Sequence, residues 1–134
     1  YVEQDHFRRI VLREKDVSGG LNIEFIKESV LFLLSKQHDV ILEGILDSRR
    51  YEGMLKELVA AHPCNNFFFY FDISLEETLR RHKTKPNKDD FGEKELRNWY
   101  RNKEFLGFIK EEIISENSSA EETVKTIQFK SGLI

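Results

Sequence analysis

The segment that most limits what this chain can fold into is VILEGIL, residues 40 to 46, where an apolar run meets Glu43-Gly44 without a polar interruption. Such a run predicts a fully buried parallel strand, and its carboxyl end delivers a carboxylate into the crevice where open α/β sheets place their chemistry. An absence is equally limiting. No G-x-x-x-x-G-K-[ST] loop, the phosphate cradle that accompanies such a strand in phosphate-transferring domains, occurs in the 134 residues.

Strand and helix patterns alternate along the chain. YVEQD ends a strand in an acid, and HFRRIVL predicts a short helix with Phe7, Ile10 and Val11 on one face. After the polar loop EKDVSGGLN, apolar residues recur at helical spacing from Ile23 to Leu34, with Asn22 as the expected N-cap. VILEGIL follows, then a helix from about Arg49 to His62, closed by Pro63. FFFYFD, residues 67 to 72, is a second apolar run ending in an acid, and Ser74-x-x-Glu77, Asp90-x-x-Glu93 and Ser119-x-x-Glu122 are capping boxes that open three further helices. EEIIS predicts a short edge strand. This order implies one α/β domain over residues 1–134, a parallel sheet with helices on both faces.

Composition narrows the function. A net charge of -3 disfavours a dedicated nucleic-acid binder. The single cysteine, Cys64, makes no intrachain disulfide and no zinc cage, which suits a reducing, cytoplasmic setting. The apolar run Phe67 to Phe71 is far too short to cross a bilayer, so no membrane partner is expected. The four histidines show no metal-binding spacing. Ser18-Gly19-Gly20 reads as a loop.

Three groups of residues are candidates for chemistry. Glu43, at a strand end, suits the water shell of a magnesium ion or polarisation of an attacking hydroxyl; the plainer alternative is an N-cap or a loop salt bridge. Asp5 is placed to accept a proton from a substrate hydroxyl while Arg8 and Arg9 bind an anionic group, or else it caps the helix that follows. Residues 80 to 103 hold nine basic residues against four acids, a local excess of +5. Arg80, Arg81, Arg97 and Arg101 within that stretch suit a helical lid that closes over phosphates, against the alternative of a solvated helical face. Trp99-Tyr100 offers a stacking surface or simply core.

Taken in order, QD at 4 and 5 with HFRRIVLREKD, VILEGIL, RRYEGMLKEL, FFFYFD, SLEETLRRH, FGEKELRNWYR and SAEETVKTI resemble a P-loop kinase of the small-molecule, zeta-toxin-like group. The resemblance spans almost the whole chain. It implies a three-layer doubly wound sheet of the nucleoside-monophosphate-kinase type, ATP and Mg2+ as cofactors, and transfer of a phosphoryl group to a small hydroxyl-bearing acceptor. By position, Asp5 matches the acceptor-side acid, Glu43 the Walker B carboxylate, and Arg80 and Arg81 the lid arginines; Arg97 and Arg101 belong near the acceptor or the phosphates. The family's first strand and P-loop would precede Tyr1, and without them the residues in hand are expected to hold ATP poorly. That strand belongs between VILEGIL and FFFYFD, so a gap in the sheet is expected there. The competing reading is a non-catalytic α/β module that presents its basic lid face to a protein or nucleic-acid partner.

Overall fold

The computed structural model describes residues 1–86 and 88–134; Asn87, in the polar part of the expected lid, lies outside the described residues. The chain is α/β and divides into two compact units, Tyr1–Asn66 and Phe67–Ile134. Among the described residues four short strands form two parallel pairs, one in each unit.

The first unit runs β1 (Val2–Glu3), α1 (Gln4–His6), a π-helical turn (Phe7–Val11), α2 (Leu21–Ser35), β2 (Leu42–Glu43) and α3 (Ser48–Ala61). Val2 lies opposite Leu42 and Glu3 opposite Glu43. Tyr51, Met54, Leu55 and Leu58 follow the i, i+3, i+4, i+7 spacing of one helical face, and all four are buried with Ile26 and Val30 of α2 and Val2 of β1. α3 opens on Asp47, whose side chain accepts from the Arg49 N–H, and ends before Pro63.

Three expectations change here. VILEGIL is not a fully buried strand: only Leu42–Glu43 pairs, and Ile41 and Ile45 are 66% and 74% exposed. β1 covers one edge of β2, and the other edge has no ladder partner among the described residues. Ile10 and Val11 do not form a buried face, because the helix widens to i→i+5 bonding, with Leu12 N donating to Phe7 O at 2.9 Å, and the 3.6-residue periodicity is lost. Asn22 is not the N-cap of α2. Gly20 takes that place, and Asn22 lies inside the first turn, fully buried.

The second unit runs β3 (Phe69–Asp72), α4 (Leu75–His82), α5 (Glu93–Trp99), β4 (Glu112–Ser115) and α6 (Ala120–Lys130). Phe69 pairs with Glu112 and Asp72 with Ser115. The Ser119 box forms in full: Ser119 Oγ accepts from Glu122 N at 3.2 Å, and Glu122 Oε2 accepts from Ser119 N at 2.8 Å. The Ser74 box forms by half. Ser74 Oγ accepts from Glu77 N, but the Glu77 carboxylate turns to Arg80 and Arg81, and Glu116 Oε2 takes the Ser74 N–H instead. The Asp90 box does not form: α5 starts after Gly92, where Glu95 Oε2 accepts the Gly92 N–H at 3.0 Å.

Candidate functional site

The best-ordered polar cluster lies in the first unit, and no sequence motif announced it. Tyr51, fully buried on the apolar face of α3, accepts from Gln4 Nε2 at 2.7 Å. Its single proton faces two acceptors, Asp16 Oδ1 at 2.7 Å and Asn22 Oδ1 at 2.9 Å. Burial, with the Asp16 carboxylate beside it, pushes the phenol well above its ordinary value and keeps it a donor. Asn22 donates both its backbone N–H and its Nδ2 to Glu14 Oε1, each at 2.6 Å, which holds the Glu14 carboxyl below its usual range. Glu14 thereby serves the N-terminus of α2 from outside the helix. Gly20 is required beside it, because a Cβ there would stand 2.9 Å from Asn22 Nδ2 and 3.1 Å from Glu14 Oε1. Arg50 completes the cluster, donating to the Asp16 carbonyl at 2.6 Å and to Asp47 Oδ2 at 2.8 Å.

This cluster fixes the ends of β1 and β2. Gly44 approaches Gln4 so closely that a Cβ would lie 2.6 Å from Gln4 Cβ, and its φ of 154° is one that side chains rarely adopt. Glu43 and Asp5 follow from that arrangement. The register sets Glu43 opposite Glu3, and Asp5 stands two residues further on, in the first turn of α1. Asp5 is not the cap of α1; Glu3 is, without a side-chain bond. Asp5 Oδ1 instead accepts from Arg8 Nη2 at 2.6 Å, and Arg9 Nη1 lies 3.7 Å from Oδ2. Arg8 also donates to the Glu14 carbonyl at 3.2 Å, and its Nε is buried with no hydrogen-bond partner among the described residues. Glu43 Oε2 accepts the Tyr1 hydroxyl at 2.9 Å, which raises the Tyr1 pKa. The Glu43 side chain is exposed, with Glu3 opposite it in the register; magnesium is usually bound through one or two carboxylates and substrate phosphates, with water completing its shell. Among the described residues no group of three or more His, Cys, Asp or Glu is placed to hold a metal directly.

The other candidates belong to the second unit. Arg80 and Arg81 both pair with Glu77, whose pKa they hold at about 2, Arg80 contributing most. Arg97 Nη2 pairs with Glu93 at 2.6 Å, and Arg101 Nη1 donates to the Asn98 and Tyr100 carbonyls at 3.1 Å each. Arg80 and Arg81 lie on α4, Arg97 on α5 and Arg101 just beyond it, each turned onto a neighbouring acceptor. His82 is buried beneath the intervening loop, stacked on Phe91 at 4.7 Å; its Nε2 meets two acceptors, the Lys88 and Phe91 carbonyls, and so carries the proton. Trp99 lies against Phe91 at 5.1 Å, and the Tyr100 hydroxyl donates to the Ile73 carbonyl. Cys64 is an exposed, unbridged thiol. Among the described residues no helix is long and apolar enough to cross a membrane.

Compared with models of known families, with curated proteins and with solved structures, the chain matches none.

Proposed function

We propose that this chain is the acceptor-binding and lid portion of an ATP-dependent phosphotransferase of the P-loop kinase type, acting on a small hydroxyl-bearing molecule. The observation that carries the reading is the register of β1 on β2: two adjacent parallel strands end together, β1 at Glu3 and β2 at Glu43, and Asp5 follows β1 by two residues. Carboxylates at the carboxyl ends of neighbouring parallel strands are where open α/β sheets bind and transform ligands.

In this reading Asp5, held by Arg8, accepts the proton of the acceptor hydroxyl as its oxygen bonds to the γ-phosphorus and the bond to the ADP oxygen breaks. Glu43 holds the water shell of magnesium, and the ion when bound neutralises charge on the phosphates. Arg9 faces the acceptor, and Arg80, Arg81, Arg97 and Arg101 supply positive charge on the lid. A lone thiol at Cys64 is in keeping with a cytoplasmic setting. The alternative is a non-catalytic module that presents this basic face to a protein or nucleic-acid partner.

The test uses the product of the native gene, its mass measured intact. Magnesium-dependent ATP turnover is expected, and Glu43→Gln is expected to lower it at least about a hundredfold with an unchanged circular dichroism spectrum. Turnover that survives in Glu43→Gln would remove the assignment.

A further inference from the structure

α4 is two turns long and opens on the Ser74 cap, so Glu77, Arg80 and Arg81 stand at i, i+3 and i+4 on one face. Arg80 Nε and Nη2 donate to Glu77 Oε2 and Oε1, each at 2.6 Å. Arg81 Nε donates to the same Oε1 at 2.6 Å, but its Nη2 reaches across to the Glu116 carbonyl, also at 2.6 Å. The two neighbouring arginines are therefore held differently. Glu116 is itself tied to the start of α4, where its carboxylate takes the Ser74 N–H at 2.8 Å. Moving Arg81 breaks a link between α4 and the segment that follows β4. Moving Arg80 breaks only an ion pair within one helix, and its side chain is 69% exposed against 41% for Arg81.

We infer that Glu77 holds Arg80 in reserve as the mobile arginine of the lid, releasing it to a polyphosphate, while Arg81 stays in place as a structural tie. A phosphate offers the guanidinium fork the same paired oxygens as a carboxylate and more negative charge. Exposed ion pairs contribute little to stability, so exchanging Glu77 for phosphate costs the fold little. Glu77 keeps Arg81 as a counter-ion when Arg80 leaves. Because these two arginines keep the Glu77 carboxyl at about 2, it stays charged at neutral pH and competes with any incoming anion. The inference rests on the phosphotransferase reading for the nature of the ligand, and on the geometry of α4 for the division of labour.

The test is a titration of the whole 15N-labelled chain with sodium tripolyphosphate at low salt, read at the arginine Nε–Hε resonances and assigned with Arg80→Lys and Arg81→Lys. The Arg80 resonance is expected to shift saturably and the Arg81 resonance to stay in place. By calorimetry, Glu77→Gln is expected to tighten tripolyphosphate about two- to fivefold and Arg80→Gln to weaken it about tenfold. An Arg81 resonance that moves with that of Arg80, or an affinity unchanged in Glu77→Gln, would overturn the reserve role while leaving a phosphate-binding lid. No shift at Arg80, Arg81, Arg97 or Arg101 would overturn the reserve role and the lid part of the phosphotransferase reading together. Triple-resonance assignment of the wild-type arginine side chains decides between these outcomes even if a variant fails to fold.

Discussion

Two glycines set the range of what one methyl group does in this chain. At Gly44 an added Cβ meets Gln4 Cβ at 2.6 Å on a backbone already at φ 154°, so Gly44→Ala must push apart the ends of β1 and β2. Strain at such a position is of the order of 2–3 kcal/mol, and the urea midpoint is expected to fall accordingly. Gly53 is exposed on α3 with nothing within 4 Å of its added Cβ, so Gly53→Ala is expected to raise the midpoint, a gain in stability of about 0.5–1 kcal/mol. A Gly44→Ala midpoint equal to wild type would mean that Gln4 and β2 do not meet as described. The same contact leads to Tyr51. Removing its hydroxyl in Tyr51→Phe leaves Gln4 Nε2 without its acceptor and takes the donor from Asp16 and Asn22, all close around a buried site. That substitution is expected to cost about 1–3 kcal/mol despite the gain in hydrophobicity, measured as the shift in urea midpoint at constant slope.

At the scale of elements, the start of α3 carries an acid-sensitive contribution to stability. Arg49 first, then Arg50, holds the buried Asp47 carboxyl below its ordinary 3.8. In the unfolded chain Asp47 takes up a proton near its ordinary value, so this stabilisation is complete above about pH 4 and is lost as pH falls toward the lower, folded value. Asp47→Asn is expected to cost about 1–2 kcal/mol at pH 7 and to lose less than wild type between pH 4 and pH 2.5. Glu77, lowered from 4.5 to about 2, adds an acid-labile contribution in α4, so the difference between the two proteins, rather than the wild-type slope, isolates Asp47. Parallel acid limbs would contradict the assignment. The elements also show what was legible in sequence. The Ser119 cap was readable because both partners lie three residues apart and nothing competes for them. The same spacing misled at Asp90, where Gly92 and Glu95 set the start; at Ser74 it placed the helix start, but two arginines draw the Glu77 carboxylate away from the box. Asn22 has the chemistry of an N-cap, but Glu14, eight residues earlier, takes its N–H. Glu43 drew notice in the sequence because it ends the apolar run that begins at Val40. The Gln4–Tyr51 and Tyr51–Asp16 bonds join residues 47 and 35 positions apart, and no periodicity reports such pairs. Their one trace in sequence is Tyr51, three residues before Met54 on the buried face of α3.

Across the whole chain, burial is unequally divided. Val2, Ile26, Val30, Tyr51, Met54, Leu55 and Leu58, all in the first unit, are buried; among the described residues of the second unit Ile114 is the one buried hydrophobic residue. The difference reaches the strands. In the first unit Val2 of β1 is buried, whereas Phe67, just before β3, and Phe71, within it, are about half exposed. Local opening is cheapest where few apolar side chains leave water on closing, so the two units should differ in protection rather than open as one. The second unit is held chiefly by capped helices and by exposed ion pairs such as Arg80–Glu77 and Arg97–Glu93, which contribute little each. Hydrogen exchange followed by mass spectrometry is expected to give the slowest amides in α2 and α3 and faster exchange throughout residues 67 to 134, β3 and β4 included. β3–β4 amides as slow as those of α3 would overturn the unequal division.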